Sequence, residues 1–325
     1  RSCRLPPASF STNRLNTESK LKPVIVICAP TACGKTALAT RLAARIGGQI
    51  ISADSRQVYR GMDIGTGKDI DEYTVDGRDI PYHLVDIVDA GYKYNLYEYL
   101  RDFGSALERV IAEGDRPILC GGTGLYIEAV LKGYNMVEVP VNEQLRASLQ
   151  GKSLEELRRI LSGYKSLHNT TDTSTIDRAV RAIEIADYYR QNDIVYCKMD
   201  TKINPILFGI DIDRDERRRR ISQRLQSRLD EGMADEVRNL LDRGISPEDL
   251  MYYGLEYKYL TQYVVGDISC DEMFVSLQTA IHRFAKRQMT WFRGMEKRGF
   301  AIRWLPYDMP DAEKTDEIIS VISRL

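Results

Sequence analysis

The chain has 325 residues, of which 43% are hydrophobic and 29% are charged, and its formal net charge is −1. This length is sufficient for one large domain with a smaller one. The near balance of charge excludes a generally basic nucleic-acid-binding protein, so any nucleic acid must be bound by a local basic patch. No apolar run approaches the ~20 residues of a membrane span.

The cysteine pattern argues against a disulfide or zinc framework. The six cysteines form no C-x-x-C pair and no Cys/His cluster with zinc spacing. We therefore expect a reducing compartment, the cytosol. Cys28 and Cys120 lie in apolar runs and are predicted to be small buried side chains.

Strand and helix patterns alternate over the first 133 residues. Residues 1–20 contain Ser, Pro and Arg but no acidic residue before Glu18, which indicates a disordered tail, a targeting leader or an expression remnant. After them, short apolar runs predict buried strands, and apolar residues every three to four positions predict helices. The predicted elements are, in order, strand 24–28, helix 36–46, strand 50–53, helix 94–112, strand 117–120 and a helix that begins near Leu125.

From about residue 134 the strand signals stop until residue 206. We predict that residues 134–202 are a helical insertion in a core made of 21–133 and 203–325. The helices predicted in the insertion are 143–149, 154–161 and 176–189. The predictions that follow are strand 206–210, a long charged helix or helix pair over 214–241, helices 247–264 and 269–294, strand 301–305 and a closing helix 312–325.

Residues 29–36, Ala-Pro-Thr-Ala-Cys-Gly-Lys-Thr, nearly match the phosphate-loop pattern G-x-x-x-x-G-K-[ST]. In such a loop the backbone N–H groups of a helix N-terminus bind the anion. Gly34 permits the tight turn, Lys35 supplies charge, and Thr36 can bind Mg²⁺ through its hydroxyl. Ala29 replaces the first glycine. The alternative is a chance Gly-Lys-Thr at a helix start. With the strand–helix alternation, the loop predicts an α/β fold with a P-loop NTPase-like parallel sheet flanked by helices.

Asp54 follows the second predicted strand, whereas residues 120–123 after the third strand contain no acid. Nucleotide hydrolases usually hold Mg²⁺ with an acid at a later strand. Asp54 therefore suits a general base beside the phosphates better than a metal ligand, or else it is a helix N-cap or turn residue. Residues 65–68, Gly-Thr-Gly-Lys, either continue this site or form an exposed turn with a surface lysine.

Two basic segments are candidates for RNA contacts, although a charge run on a helix is usually a solvated face. Arg217, Arg220 and Arg224 share one helix face, so Arg220 is expected to point at the cleft while Arg218 and Arg219 stay in solvent. The opposite, buried side is predicted to carry Ile221, Leu225 and Leu229.

The second segment, 282–293, mixes basic and aromatic residues. We expect Trp291 and Phe292 in the core and a phosphate contact from Lys286 or Arg287. His83 and His168 have no partners that suggest a triad or a metal site, and we interpret both as non-catalytic.

Five ordered motifs resemble the tRNA dimethylallyltransferase (tRNA isopentenyltransferase) family. They lie between residues 24 and 293 and comprise 29–36 with 53–68, 81–86 (Pro-Tyr-His-Leu-Val-Asp), 121–126 (Gly-Gly-Thr-Gly-Leu-Tyr), 177–184 and 285–293. The family transfers a dimethylallyl group from its diphosphate to the exocyclic amine of the adenosine 3′ to the anticodon in tRNA. The resemblance thus implies that the loop binds a prenyl diphosphate rather than ATP.

The resemblance also implies residue roles. Asp54 would be the general base, and Asp54, Thr31 and Arg220 the catalytic residues, with Mg²⁺ held through Thr36. The implied diphosphate ligands are Pro30, Thr31, Ala32, Cys33, Gly34, Lys35 and Thr36, joined by Arg220. The implied tRNA contacts are Asp54, Ser55, Arg56, Gln57, Thr123, Arg146, Asp177, Arg178, Arg181, Lys286 and Arg287. The implied form is a cytoplasmic monomer without a membrane anchor.

The sequence departs from the family pattern in three places, and a fourth feature bears on which form of the family it resembles. These are Ala29, a short insertion, residues 253–258 in place of Gly-Tyr-[Arg/Lys], and the lack of a C-terminal zinc-finger extension, which favours the bacterial or organellar form. The closest competing function is that of an isopentenyltransferase of the same fold that acts on AMP, ADP or ATP. Two more distant candidates are a small-molecule P-loop kinase and an RNA-binding module that has lost catalysis.

Overall fold

The fold is organised around a parallel sheet in a computed structural model that describes residues 23–134, 136–165, 171–192, 194 and 203–324. The sheet has six strands in the order β10-β9-β1-β8-β2-β6, and every neighbouring pair is parallel. Two short ribbons, β3 with β7 and β4 with β5, lie outside it. The strands are β1 Val24–Cys28, β2 Gly48–Ser52, β3 Tyr59–Arg60, β4 Thr74–Val75, β5 Arg78–Asp79, β6 Tyr82–His83, β7 Val88–Asp89, β8 Arg116–Gly121, β9 Pro205–Asp211 and β10 Ile302–Pro306.

Helices cover both faces of this sheet. They are α1 Lys35–Ile46, α2 Leu96–Ala112, α3 Gly124–Lys132, α4 Glu143–Leu149, α5 Leu154–Ser162, α6 Ile176–Gln191, α7 Arg214–Asp230, α8 Met233–Asp242, α9 Pro247–Tyr252, α10 Leu255–Val264, α11 Cys270–Lys297 and α12 Asp311–Ile322, with 3₁₀ turns at Ile70–Tyr73 and Thr171–Thr173. The predicted α/β fold with a parallel sheet is confirmed.

The unbroken apolar run Val24–Cys28 forms the central strand β1, which is buried along its whole length. Successive side chains of a strand point to opposite faces. Val24 and Val26 pack into a core with α2, α8 and α11, whereas Ile25 and Ile27 pack into a second core with α1 and α12. Because both faces are covered, the strand has no solvent-facing positions to fill with polar residues.

Glycine decides between the two predictions for residues 214–241 and breaks one predicted helix. Residues 214–241 form the helix pair α7 and α8, separated by Gly232 at φ 98°. The single helix predicted over 247–264 is wrong, because Gly254 at φ 130° separates α9 from α10. Residues with a Cβ rarely adopt these angles, so the glycines end one helix and redirect the next. The predicted tail 1–20 and His168 lie outside the described residues.

Helices α4, α5 and α6 pack around a small core of their own. Next to it, Glu184 is only 2% exposed. Its carboxylate accepts hydrogen bonds from Arg146 (both 3.1 Å), from the backbone N–H of Asn142 (2.6 Å) and from Arg181. Burial by itself raises the pKa of Glu184, but these hydrogen bonds outweigh burial and hold it below its usual value.

We expect Glu184→Gln to lower the free energy of unfolding by about 2 kcal/mol at pH 7, because it removes charge-assisted hydrogen bonds from a buried site. A carboxylate whose pKa is lowered by folding stabilises the folded state at pH values above its ordinary pKa of ~4.3. This stabilisation is lost as the pH falls through the lowered pKa of the folded state. The gap between wild type and variant, measured by urea denaturation, should therefore shrink below about pH 4. The control is Glu155→Gln, whose exposed pair with Arg159 contributes little. A gap that does not change with pH contradicts the assignment.

Candidate active site

A cavity of about 500 Å³ opens where β1, β2 and β8 end. In parallel α/β sheets this edge is where ligands bind, because the loops that follow the strands converge there. The loops after these three strands supply one side of the cavity, and α7, α10 and α11 supply the other. Its wall therefore joins segments that are distant in the chain.

The loop between β1 and α1 forms a phosphate-binding turn. Ala32 and Gly34 take left-handed conformations at φ 63° and 72°. Within the described residues no side chain caps the first turn of α1, and Lys35 and Thr36 of that turn line the cavity, so the amides of the helix N-terminus remain available for an anion. Ala29 is fully buried and has no positive φ, which explains why alanine is accepted at this position.

Some of the remaining predicted phosphate ligands line the cavity, and others are buried beneath the loop. Thr31 and Ala32 line the cavity, whereas Pro30 and Cys33 are buried beneath the loop. Burial raises the pKa of the Cys33 thiol to about 11, and its Sγ lies 3.6 Å from the carbonyl oxygen of Thr31. Cys33 thus packs the loop from below as a neutral thiol.

One side chain of α11 joins the phosphate loop to the loop after β8. Gln288, 8% exposed, accepts a hydrogen bond from the backbone N–H of Thr31 (3.0 Å) and donates one to the carbonyl of Gly122 (2.9 Å). A Cβ on Gly122 would lie 2.6 Å from the Gln288 amide nitrogen, so a larger residue is excluded there. Gln288 was not predicted as a site residue, although it lies within the motif at 285–293.

Asp54 projects from the end of β2 into the cavity. One of its carboxylate oxygens accepts a hydrogen bond from the backbone N–H of Arg56 (2.9 Å), and this turn is fastened to the β8 loop because Ser55 N–H donates to the Thr123 hydroxyl (3.0 Å). No helix follows Asp54 directly, so the interpretation as a helix N-cap is wrong. The cavity also includes the predicted residues Ser55, Arg56, Gln57 and Thr123.

Three arginines of α7 face the cavity at intervals of four residues. Arg220 donates to the carbonyl of Ala32 (3.0 Å), and Arg228 donates to both carboxylate oxygens of Asp69 (3.1 Å each). Between them, burial and the charge of Arg228 lower the pKa of Arg224 to about 10. The prediction that Arg220 points at the cleft is confirmed. Arg224, predicted on the same helix face, also lines the cavity, whereas Arg228 was missed.

Carboxylates compensate this positive charge. Asp69, Glu72 and Glu256 line the same cavity as the arginines. Burial raises the pKa of Glu72 and of Glu256, while the nearby Arg224 and Arg228 act in the opposite direction. Glu256 comes from the segment 253–258 that departs from the family pattern.

The Gly-Thr-Gly-Lys segment is buried, so the interpretation as an exposed turn is wrong. Lys68 is 1% exposed and donates to the carbonyl of Tyr59 and to Asp63 (2.6 Å each), and also to Asp86. A Cβ on Gly67 would lie 2.1 Å from the guanidinium of Arg228. The glycine is needed because Arg228 occupies the space that a side chain would fill.

One face of α11 forms the opposite wall. Phe284, Arg287, Gln288 and Trp291 line the cavity at helical spacing. Phe292 is fully buried as predicted, but Trp291 is 39% exposed, so its predicted core position is wrong. Adjacent residues of a helix point about 100° apart, which places one aromatic in the core and the other on the wall. Lys286 is exposed and does not line the cavity.

The residues predicted on the insertion lie outside the cavity. Arg146 and Arg181 are paired with Glu184, and Arg178 donates to the Ser174 hydroxyl (3.0 Å). Asp177 is exposed in the first turn of α6.

In the described part of the chain, no group of three or more His, Cys, Asp or Glu side chains can hold a metal ion. Thr36, the residue expected to hold Mg²⁺, lies in the first turn of α1 and lines the cavity. Within the same described residues, no helix is both long and apolar enough to cross a bilayer.

Comparisons with known proteins agree with this geometry. A family model described as IPP transferase matches residues 57–295, and one described as isopentenyl transferase matches residues 22–80. The chain belongs to the IPP transferase family. Among its relatives, a protein named tRNA dimethylallyltransferase 2 from Bacteroides fragilis is 59% identical over 90% of this chain and 95% of its own. One of the same name from Phocaeicola vulgatus is 57% identical over 92% and 97%.

Solved structures give the same result. A crystal structure of full-length tRNA isopentenylpyrophosphate transferase from Bacillus halodurans matches with a TM-score of 0.67 and 30% identity, over 93% of this chain and 96% of that one. A eukaryotic dimethylallyltransferase acting on tRNA matches with a TM-score of 0.72 over 92% and 80%, and its 19% identity supports the fold alone.

The clash at Gly67 can be separated from backbone strain. Gly67 and Gly77 have similar φ angles, 63° and 73°, but a Cβ on Gly77 would have no described atom within 4 Å. We expect Gly77→Ala to lower the free energy of unfolding by about 1 kcal/mol through strain alone, and Gly67→Ala to lower it by about 2 kcal/mol more through overpacking. Urea denaturation measures both. Equal losses would show that Arg228 does not occupy this space.

Proposed function

We propose that this protein transfers the dimethylallyl group of dimethylallyl diphosphate to the exocyclic amine of the adenosine 3′ to the anticodon in tRNA. The observation that carries the proposal is that a phosphate-binding turn and the carboxylate of Asp54 line one cavity. The names of the curated relatives support the same activity.

The diphosphate binds between the N-terminus of α1 and the arginines of α7. Lys35, Arg220 and Arg224 line this part of the cavity and face the phosphates together with the loop amides. As the C–O bond of the donor breaks, negative charge grows on the leaving diphosphate. Fixed cations and N–H groups stabilise that charge more than they stabilise the bound donor, which lowers the barrier. Thr36 would hold Mg²⁺ through its hydroxyl, and the ion would supply further Lewis-acid neutralisation of the leaving diphosphate.

Asp54 accepts the proton of the attacking amine. The N–C bond forms while the donor C–O bond breaks, and the amine nitrogen must then lose one proton. The lone pair of an adenine amine is delocalised, so a base placed beside it favours attack. The hydrogen bond from the N–H of Arg56 fixes one carboxylate oxygen of Asp54 and thereby orients the carboxylate.

The tRNA presents its adenosine to the cavity mouth. A base inside a stacked loop does not reach the cavity, so the target base turns out of its stack. Ser55, Arg56, Gln57, Thr123 and Arg287 line the cavity and contact this nucleotide and its neighbours. The insertion 134–202 contacts the anticodon arm through Arg146, Asp177, Arg178 and Arg181, and Lys286 adds a phosphate contact. We place residues 21–133 and 203–325 in the catalytic core of a cytoplasmic monomer.

The transfer assay separates this activity from the competing ones. The protein is incubated with labelled dimethylallyl diphosphate, Mg²⁺ and either unmodified tRNA or AMP, ADP and ATP. We expect label in tRNA alone. Label only in a mononucleotide would establish the adenylate isopentenyltransferase instead, and ATP turnover without prenyl transfer would establish a kinase.

Asp54→Asn tests the general base. Asparagine keeps the oxygen that accepts from the N–H of Arg56, so the turn is retained while the basic group is lost. We expect transfer under saturating substrates to fall at least about 100-fold, with tRNA affinity within about threefold of wild type. The control is Asp71→Asn, which replaces an exposed carboxylate outside the cavity and should leave both values unchanged. Comparable transfer by Asp54→Asn and wild type would refute the base assignment.

A further inference from the structure

A second cavity, of about 410 Å³, forms a groove between α10 and the N-terminal half of α11. Ser276, Thr279, Arg283 and Arg287 line it from one face of α11. Arg287 also lines the active-site cavity, so the groove and that cavity share a wall. From residue 276 to residue 287 the helix rises about 16 Å, which makes the groove an extension of the active site rather than an isolated depression.

The chemistry of this groove differs from that of the active-site cavity. Arg283 and Arg287 are exposed, two hydroxyls come from Ser276 and Thr279, and the ring of Tyr259 forms part of the opposite side. No acidic side chain is among the described residues that line the groove, whereas four carboxylates line the active-site cavity. Lys258 lies 5.6 Å from the Tyr259 ring centroid and adds a further cation at the edge.

Arginines, hydroxyls and an aromatic ring in one groove suit a polyanion with unpaired bases. Single-stranded RNA binds in grooves where basic side chains follow the backbone and aromatic rings stack on bases. A protein partner would instead need a contiguous apolar face. Here the exposed apolar contribution is chiefly Val275, 61% exposed, at the end of the groove remote from Arg287.

We propose that this groove binds the backbone of the single-stranded RNA segment next to the target nucleotide. The inference rests on the proposed function, because it assigns a further part of the same tRNA substrate to a defined surface. Arg283 forms a phosphate contact, Ser276 and Thr279 donate hydroxyls to the backbone, and Tyr259 stacks on a base. Arg287 marks the place where the strand leaves the groove and enters the active site.

Arg283→Ala tests the groove alone, since Arg283 lines the groove and not the active-site cavity. We expect affinity for an anticodon stem-loop RNA to fall about three- to tenfold at ~0.1 M salt. The slope of log affinity against log salt should decrease in magnitude by about 0.7, the value for one lost phosphate contact in a single strand. The rate at saturating RNA and the KM for dimethylallyl diphosphate should not change. Arg283→Lys should recover most of the affinity, because a phosphate needs only the charge.

The matched control is Arg303→Ala. Arg303 is exposed on β10 and lines neither the groove nor the active-site cavity. The RNA affinity and the salt slope of this variant should equal those of wild type. Loss of affinity in both variants to the same extent, or in neither, overturns the inference. If the wild-type protein transfers label to tRNA but Arg283→Ala binds RNA normally, only the groove assignment fails. If the wild-type protein transfers nothing to tRNA, the proposed function fails first.

A cross-linking measurement locates the RNA independently. A benzophenone side chain introduced at Val275 of the full chain should cross-link, on irradiation with bound tRNA, to a nucleotide within a few positions of the target adenosine. Cross-links to a distant part of the tRNA, or to a second copy of the protein in place of RNA, would overturn the inference.

Discussion

The active site depends on two hydrogen-bonded links between loops. The amide of Gln288 connects Thr31 of the phosphate loop to Gly122 of the β8 loop, and the hydroxyl of Thr123 connects that loop to Ser55, beside Asp54. The phosphate loop and the carboxylate of Asp54 are therefore held in a fixed relation across three strands. Two-substrate transfer requires this, since errors near ~1 Å in reacting groups reduce rates strongly. Side-chain amides and hydroxyls accomplish it without adding net charge to the cavity.

The cavity also brings several charged side chains close together. Arg220, Arg224 and Arg228 lie on one helix face. Burial lowers the pKa of Arg224, and repulsion from Arg228 lowers it further. Without counter-charges such a cluster would be costly to bury. Asp69 pairs directly with Arg228 and supplies counter-charge there. Burial raises the pKa of the nearby Glu256, which disfavours its charged form, while Arg228 and Arg224 act in the opposite direction. Arg220 and Arg224 are left to face the phosphate loop, where the proposed diphosphate would supply further counter-charge.

Local signals predicted much of this arrangement, and the residues of the site that were missed or misplaced share a physical cause. The phosphate loop, Asp54 and the strands were predictable because their patterns are short, contiguous stretches of sequence that reflect backbone geometry. Gln288, Glu256 and Trp291 act through contacts with segments distant in the chain, which no local pattern encodes. Lys68 illustrates the limit: a lysine after Gly-Thr-Gly is typical of a turn, and only the approach of Asp63 and Asp86 makes its burial favourable.

Helix α11 connects the active-site cavity with the groove that we propose binds RNA. Its 28 residues span about 42 Å, and its faces contact different parts of the protein. Phe292 and Met295 anchor the helix in the core, Gln288 fixes the phosphate loop, and Trp291 faces the cavity. The groove at Arg283 lies on the same rigid element. If RNA binds along this helix as we propose, the helix itself aligns the strand with the donor. The helices of the predicted insertion would then need only to bind the anticodon arm, and not to set the distance between the reacting atoms.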